Sequence, residues 1–411
     1  MEIRALLKAL WRSRTGPILI SVQIAIALAV LVNIAYLVAG RIETYRRPTG
    51  MDLHNIFWVM TEGFGKDYDQ SVAVRSDLAY LNGLPGVVAA AASMTLPQTF
   101  AGYGLPFSAV PSVPGQERPN APGSIMLMTE HGLDALGVHL IAGRAPHADT
   151  TSAASDAMSA FGRWAPEVAI TQLLASKIFP KGDALGKTLY TGLINRSAKI
   201  VGIVERMQGA PADGPGADFF ESVVFVPGVP PGPNALYLVR TQPGRRAEVM
   251  AQVERSLADR VPGRFIARIQ AFDETAANTR SGIKTSCIIL GVVASLVLAV
   301  TAIGIFGLAA FNVTTRTRQI GTRRAIGARR QHILRYFLVE NWLISTAGVL
   351  VGCVLALALG AELSLMFRLP RLPLYYLAFG VAALWLIGLG ATLFPARRAA
   401  SVAPAIATRT V

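Results

Sequence analysis

Residues of types and spacings able to do chemistry are few in this 411-residue chain. The segment GDALGKT at 182–188 has the composition of a phosphate cradle. Such a cradle needs four residues between its glycines, so that successive backbone N–H groups converge on the phosphates. Only three separate Gly182 from Gly186, so the segment reads instead as a β-turn at the entry to a strand. With no second match of this kind, the chain is expected not to hydrolyse ATP alone and to hold no cofactor. The five histidines, His54, His131, His139, His147 and His332, lack metal-ligand spacing to one another or to cysteine. His139 and His147 are near in sequence but divided by a turn, which makes a chance pair the simpler reading. Ser281 and Lys284 stand as nucleophile and lysine do in acyl-enzymes, yet the companion S-D-N and K-T-G motifs are missing. No catalytic or metal site is expected, and the chain is not read as an enzyme.

What remains is charge. Residues 313–335 read VTTRTRQIGTRRAIGARRQHILR, with seven arginines and no acid. Residues 285–315 and 341–361, on either side, carry no charge at all. A basic segment between two membrane-length apolar runs belongs at a membrane face, and its arginines assign the cytoplasmic one. Orientation alone would be met by Lys or Arg in any order, and this segment is more patterned than that. Gly321 and Gly327 interrupt it, Ala325 and Ala328 flank Ile326, and Arg316, Ile320 and Arg324 share a helix face at i, i+4 spacing. Gly327 suits the end of one short helix before another begins at Arg329. A short helix along the membrane, with a small apolar tip and an arginine rim, has a docking shape. The residues themselves leave topology signal and docking surface both open.

The elements that must position this segment follow from composition. Hydrophobic residues make up 52% and charged residues 16%, against roughly 25% charged in soluble proteins; the deficit points to membrane spans. The net charge is +14, nearly all of it in residues 1–16, the arginine segment and residues 395–411. That distribution is a topology and lipid-surface signal and argues against nucleic acid as a partner. Residues 15–40 are uncharged and outlast the core of about 7–15 residues of a cleavable leader, so they read as a retained first span. Residues 1–14 suit either a short amphipathic interfacial helix or an ordinary basic flank. The uncharged run from Thr285 is 31 residues long, more than hydrocarbon needs, which suggests a helix prolonged outward as a stalk. Glu340 sits at the edge of the third span, shallow enough to snorkel. Cys287 and Cys353 fall inside spans as free apolar thiols. No carboxylate ladder runs through the spans, which argues against a channel or ion-coupled carrier.

Residues 41–283 regain charges of both signs, with many turn residues, and read as a domain outside the membrane. Apolar runs at 56–60 and 87–92 suit strands, 76–81 part of a helix, and the Pro/Gly-rich 102–123 a loop. Further strands are expected at 167–170, 199–204, 222–226, 236–240 and 265–269. Helices are expected at 172–179, stopped by Pro180, and at 245–261. Residues 146–165 and 205–234 are read mainly as loops. A helix starting near Asp273 meets no breaker before the second span.

The run RTRQIGTRRAIGARR at 316–330 resembles the cytoplasmic loop of the FtsX-like, MacB-type ABC transporter permeases, patterned R-x-R-E-I-G-x-R-R-A-x-G-A-x-R; Gln319 stands where that family usually has Glu. Gly143-Arg144, DALGK at 183–187 and IVGIV at 200–204 resemble the G-R, D-P-L-G-K and V-V-G-V signatures of its periplasmic core domain, with Ala184 in place of Pro. PARRAASVAPAIATR at 395–409 resembles the family's ending, with Thr408 in place of Leu. The resemblance implies an α-helical membrane protein with four transmembrane helices and an α+β periplasmic domain inserted between the first and second. The expected division is an amphipathic segment at 1–16, spans at 17–40, 284–312, 337–360 and 372–395, a periplasmic domain with stalk at 41–283, a coupling loop at 313–336, a short outer loop at 361–371 and a tail at 396–411.

The resemblance also implies a bacterial inner-membrane location with both termini cytoplasmic, and a separate ABC ATPase dimer that carries ATP and Mg. The ATPase-coupling residues would be Arg316, Arg318, Gln319, Ile320, Gly321, Arg323, Arg324, Ala325, Ile326, Gly327, Ala328 and Arg329. Further implied partners are a second permease copy or paralogue, a periplasmic adaptor and an outer-membrane channel. The implied function is transmission of ATP-driven motion to the periplasmic domain for export of peptides, drugs or toxins. The alternatives are an FtsX-type regulator of cell-wall hydrolases and a lipoprotein-release permease. On this reading Arg324→Glu or Gly327→Leu uncouples the ATPase while leaving insertion intact.

Overall fold

The computed structural model describes residues 15–65, 68–99, 102–113, 119–147, 165–191, 196–209, 216–326, 329–367 and 371–401. The chain divides into two compact units, one of Met1–Ile42 with Lys284–Val411 and the other of Glu43–Ile283.

The Glu43–Ile283 unit has two parts. The first is built from β1 (Ile56–Gly63), α2 (Gln70–Gly83) and β2 (Val87–Ser93), then β10 (Asn234–Thr241), α6 (Arg246–Ser256) and β11 (Arg264–Ala271). Its strands lie in the order β11-β1-β10-β2, with every neighbour antiparallel. This is the split β-α-β arrangement of ferredoxin-like folds. Strand alternation sorts the core: Phe57 and Val59 face α2 and α6, through Val74, Leu81, Val249 and Val253, while Ile56 and Trp58 pack on the opposite face with Leu136 and Phe272. The Asp69 carboxylate caps α2 by accepting from the N–H groups of Ser71 (2.8 Å) and Val72 (3.2 Å). The helix expected over 245–261 ends earlier, at Ser256, followed by a short 3₁₀ turn at Ala258–Arg260.

The second part is inserted between β2 and β10. Here β3 (Tyr103–Ser108), β4 (Ala121–Met128), β6 (Glu167–Thr171), β7 (Thr188–Thr191), β8 (Ser197–Val204) and β9 (Val223–Pro227) pair in a closed ring, β4-β3-β7-β8-β6-β9 and back to β4. Phe107, Ile125, Val168, Ile170, Ile200 and Val224 belong to its core. β5 (Leu140–Gly143) adds to β8, and α3 (Gly132–Leu136), α4 (Gln172–Ile178) and α5 (Gly216–Glu221) lie between strands. The loop expected at 102–123 is therefore wrong at both ends, where β3 and β4 pair. Proline misled the reading. Pro106 stands directly opposite Pro122, a register that sets two residues lacking N–H groups at a pair which exchanges no ladder bonds. α5 likewise lies in a stretch read as loop.

One buried polar network ties α2, β10 and β11 together. The Arg264 guanidinium donates to both Asp77 oxygens, with Nη2 to Oδ1 at 2.8 Å, and to the Leu257 carbonyl. The Tyr237 hydroxyl donates to Asp77 Oδ2 at 2.6 Å. Burial, then the Asp77 charge and hydrogen bond, hold the Tyr237 phenol well above its ordinary value. The folded chain thus keeps a proton that the unfolded chain releases near pH 10. This contribution to stability is complete below that pH and is lost as pH rises through the folded value. Melts of the full chain at pH 8 and pH 11 should show a drop that Tyr237→Phe reduces.

The other unit holds α1 (Thr15–Arg46), α7 (Phe272–Thr315, whose first turns belong to the Glu43–Ile283 unit), α8 (Thr317–Ala325), α9 (Arg330–Phe367) and α10 (Leu374–Ser401). All but α8 are long and apolar enough to cross a membrane. Ile20, Ile24, Leu28 and Val32 repeat every fourth residue along α1 and face the helical core. On α9, Gly348 and Gly352 form a G-x-x-x-G pair. A Cβ at Gly348 would lie 2.6 Å from the Ser21 carbonyl oxygen, and one at Gly352 would lie 3.0 Å from Ala25 Cα. Small residues let these two backbones approach, as in membrane helix pairs generally. Polar side chains act as clasps between helices: Ser21 to the Ile344 carbonyl (3.1 Å), Gln23 to Val300 (2.9 Å), Asn33 to Ala356 (3.1 Å) and Asn341 to Gly388 (3.1 Å). Such bonds contribute about 0.6 kcal/mol each, so Asn341→Val should lower the detergent-solubilised melt only slightly.

Candidate functional site

The arginine segment folds as the end of α7, the nine-residue α8 and the start of α9. Three threonines mark the α7–α8 junction. Thr314, Thr315 and Thr317 donate their hydroxyls to the carbonyls of Ala310 (2.9 Å), Phe311 (3.0 Å) and Val313 (2.9 Å). Arg316 lies between them. Its Nη1 donates to both oxygens of Glu340 on α9, at 2.9 and 3.1 Å, and the Glu340 side chain is only 4% exposed. Snorkelling, expected for Glu340, is therefore replaced by a buried ion pair. A carboxyl so buried needs hydrogen-bond partners inside the protein, and Arg316 supplies them. A cavity of about 20 Å³ adjoins it, lined among others by Asn312, Glu340, Asn341 and Thr392, with room for one water.

The candidate coupling residues divide by direction. Ile320 is buried with Val313, Ile333, Phe337, Ala396 and Ala399, and Gly321 is buried beside it. The face shared by Arg316 and Ile320 therefore turns into the helical unit. Gln319, Ala325 and Arg329 are exposed, and Ile326, just past the end of α8, is 83% exposed. Arg318, Arg323 and Arg324 lie on α8 with their side chains outside the described set, and Gly327 and Ala328 lie outside the described residues. The result is an inward seam of Arg316, Ile320 and Gly321 and an outward surface ending in an exposed isoleucine. Sequence reasoning missed the Arg316–Glu340 pairing; the separation of 24 residues hid it, although an arginine and an acid at the edges of two adjacent apolar runs was the available signal.

Outside the helical unit, the two neighbouring histidines do not converge on a shared site. His139 Nδ1 lies 3.3 Å from Glu205 Oε2 and His147 Nδ1 lies 3.3 Å from Glu130 Oε1, so the two histidines have different partners. Among the described residues no group of three or more His, Cys, Asp or Glu could hold a metal. Arg144 hydrogen-bonds Glu167 and holds its carboxyl below the usual range, against a smaller opposing effect of burial. Gly143 before it is obligatory: its φ is +77°, and a Cβ would fall 2.1 Å from the Val201 carbonyl oxygen. Residues 182–187 form turns leading into β7 at Thr188.

Residues 22–256 match the MacB-like periplasmic core domain, and residues 291–404 match the FtsX-like permease C-terminal region. The chain belongs to the FtsX-like, MacB-type permease family. The FtsX-like region takes in α8, its flanks and Glu340, so the inward seam and the exposed tip fall within one family segment. The chain is 39% identical over 139 residues to the macrolide export ATP-binding/permease protein MacB of Bradyrhizobium diazoefficiens, covering 33% of this chain and 21% of the relative. It is 30% identical over 264 residues to the protein of the same name from Wolinella succinogenes, covering 59% of this chain and 38% of the relative. These alignments thus take in well under half the length of the relatives. The crystal structure of the periplasmic region of MacB from Actinobacillus actinomycetemcomitans aligns at a TM-score of 0.32 and 12% identity, over 58% of this chain and 98% of that one. With four candidate spans and this family membership, the permease is a multi-pass membrane protein.

Proposed function

We propose that this permease is the membrane subunit of an ABC exporter, which receives the motion of a separate ATPase at α8 and passes it to the Glu43–Ile283 unit. The observation that carries the reading is the exposed Ala325–Ile326 tip on a short basic helix between two candidate spans. An isoleucine 83% exposed at the end of a basic helix is a surface that gains by being covered. The orientation follows from the arginine excess: α8 and both ends of the chain lie in the cytoplasm of a bacterial inner membrane, and the Glu43–Ile283 unit lies outside it. α7 suits transmission, since one helix of 44 residues begins in the outside unit and ends at the α8 junction. Its first turn is fixed there by Phe272 in the core, by the Trp58 Nε1 bond to Thr275 Oγ1 at 2.7 Å, and by Arg246 on Asp273 at 3.0 Å.

The relatives named for macrolide export, and another named for pyoverdine export in Pseudomonas putida, favour small molecules or peptides as cargo. A second copy or paralogue would complete the membrane unit, with a periplasmic adaptor and outer-membrane channel beyond. Purifying the tagged chain from its native cell and identifying what accompanies it tests the reading. An ATPase with an adaptor supports export. An ATPase with a cell-wall hydrolase, or lipoproteins mislocalised on deletion, replaces export by the regulatory or lipoprotein-release role. Absence of any ATPase overturns the coupling assignment.

A further inference from the structure

We propose that the α7–α8 junction is a hinge whose angle is set by the Arg316–Glu340 ion pair, which makes Glu340 a positioning residue for the coupling helix. The hinge is written in the threonines. Hydroxyls that bond back to carbonyls one turn earlier compete with the helical ladder and bend it. Thr314, Thr315 and Thr317 do so in succession. The ladder nevertheless continues through the junction, from the Arg316 N–H to the Asn312 carbonyl (3.2 Å) and from the Ile320 N–H to the Arg316 carbonyl (3.0 Å). The ladder thus bridges the one-residue interruption at Arg316 between α7 and α8.

A junction of this kind has no fixed angle of its own. The angle comes from what holds the far side. Ile320 seats in the cluster with Ile333 and Phe337 of α9, and Arg316 grips both oxygens of Glu340, three residues beyond Phe337 on that helix. Apolar contacts let helices slide; a buried two-oxygen grip does not, because leaving it strands a charge away from water. The bend in turn decides where Ile326 points, and so whether a partner finds it. Arg316 is in this account an internal strut and not part of the docking rim.

The measurement is the distance distribution between spin labels at Ile326→Cys and Arg335→Cys in the full chain, with Cys287 and Cys353 changed to alanine. Both label sites are exposed. Glu340→Ala should broaden the distribution about twofold, as expected when one fixed state gives way to several. The reversed pair, Arg316→Glu with Glu340→Arg, should narrow it again, which a merely structural loss would not predict. Thr314→Val with Thr315→Val and Thr317→Val should shift the mean as the helix straightens. Should Glu340→Ala fail to fold, Glu340→Gln with the same reversed pair decides the matter. An unchanged distribution in the folded Glu340 variant, or no narrowing in the folded reversed pair, overturns the hinge. The consequence for coupling rests on the proposed function. If the distances respond while stimulation of the co-purified ATPase does not, the hinge stands and the coupling reading falls.

Discussion

Asp77→Ala should cost the Glu43–Ile283 unit about 3–5 kcal/mol, the usual loss when one partner of a buried ion pair is removed. The Asp77 and Arg264 side chains are both fully buried. Truncation would leave the guanidinium without a counter-charge, with only the Leu257 carbonyl as partner, and would leave the Tyr237 hydroxyl without its acceptor. Against a total of about 5–15 kcal/mol for a typical domain, the loss is large. Chemical denaturation of the purified full chain, followed by fluorescence from Trp58 in β1 with Trp11, Trp164, Trp342 and Trp385 changed to phenylalanine, measures it. Removing both partners together, as Asp77→Leu with Arg264→Met, should be far milder, because the desolvation that opposes the pair disappears with it. A single-variant loss below about 1 kcal/mol would place the pair among those that add little.

Ile326→Asp should leave the melt of the chain unchanged and weaken association with the proposed ATPase partner by about thirtyfold or more, the scale of a central interface residue at ~2 kcal/mol. The side chain is 83% exposed, so its burial contributes little to folding and much to any surface that covers it. Ile320→Asp is the contrasting variant. It buries a charge in the cluster of Val313, Ile333 and Phe337 and should lower the melt itself. Pull-down of the ATPase alongside a thermal melt separates the two. Loss of folding in Ile326→Asp, or full association despite it, would remove Ile326 from the docking surface.

Much of the architecture was legible because its signals were local. Uncharged runs announced the spans, Pro180 stopped α4, and the run at 199–204 marked most of β8. What stayed hidden depended on partners far away in sequence. Pro106 and Pro122 read as loop residues until their mutual register placed them in a sheet. Gly348 and Gly352 are two glycines among many until Ser21 and Ala25 lie against them. In the arginine segment the exposed tip could be inferred from Ala325, Ile326 and Ala328, but the inward half could not. Equal spacing placed Arg316 and Ile320 on one face without saying which way it turned; Glu340 and the α9–α10 seam decide that.

The insertion of the ring between β2 and β10 has a consequence for biogenesis. β10 lies between β1 and β2 in the sheet, so those two early strands have no shared neighbour until the ribosome has passed residue 234. Sheet strands that wait for a distant partner expose apolar surface and unpaired edges meanwhile. The ring, whose strands all fall within 103–227, can close first, but Met126, Ala169, Val223 and Phe225 share a core with Ile56, Trp58 and Leu238 and stay partly uncovered until the other half forms. The ferredoxin-like half then zips up only as β10 and β11 emerge, just before α7 must enter the bilayer. Translation pausing or chaperone supply during that interval should govern yield, and arrested chains ending before residue 234 should be protease-resistant in the ring but not in β1 or β2.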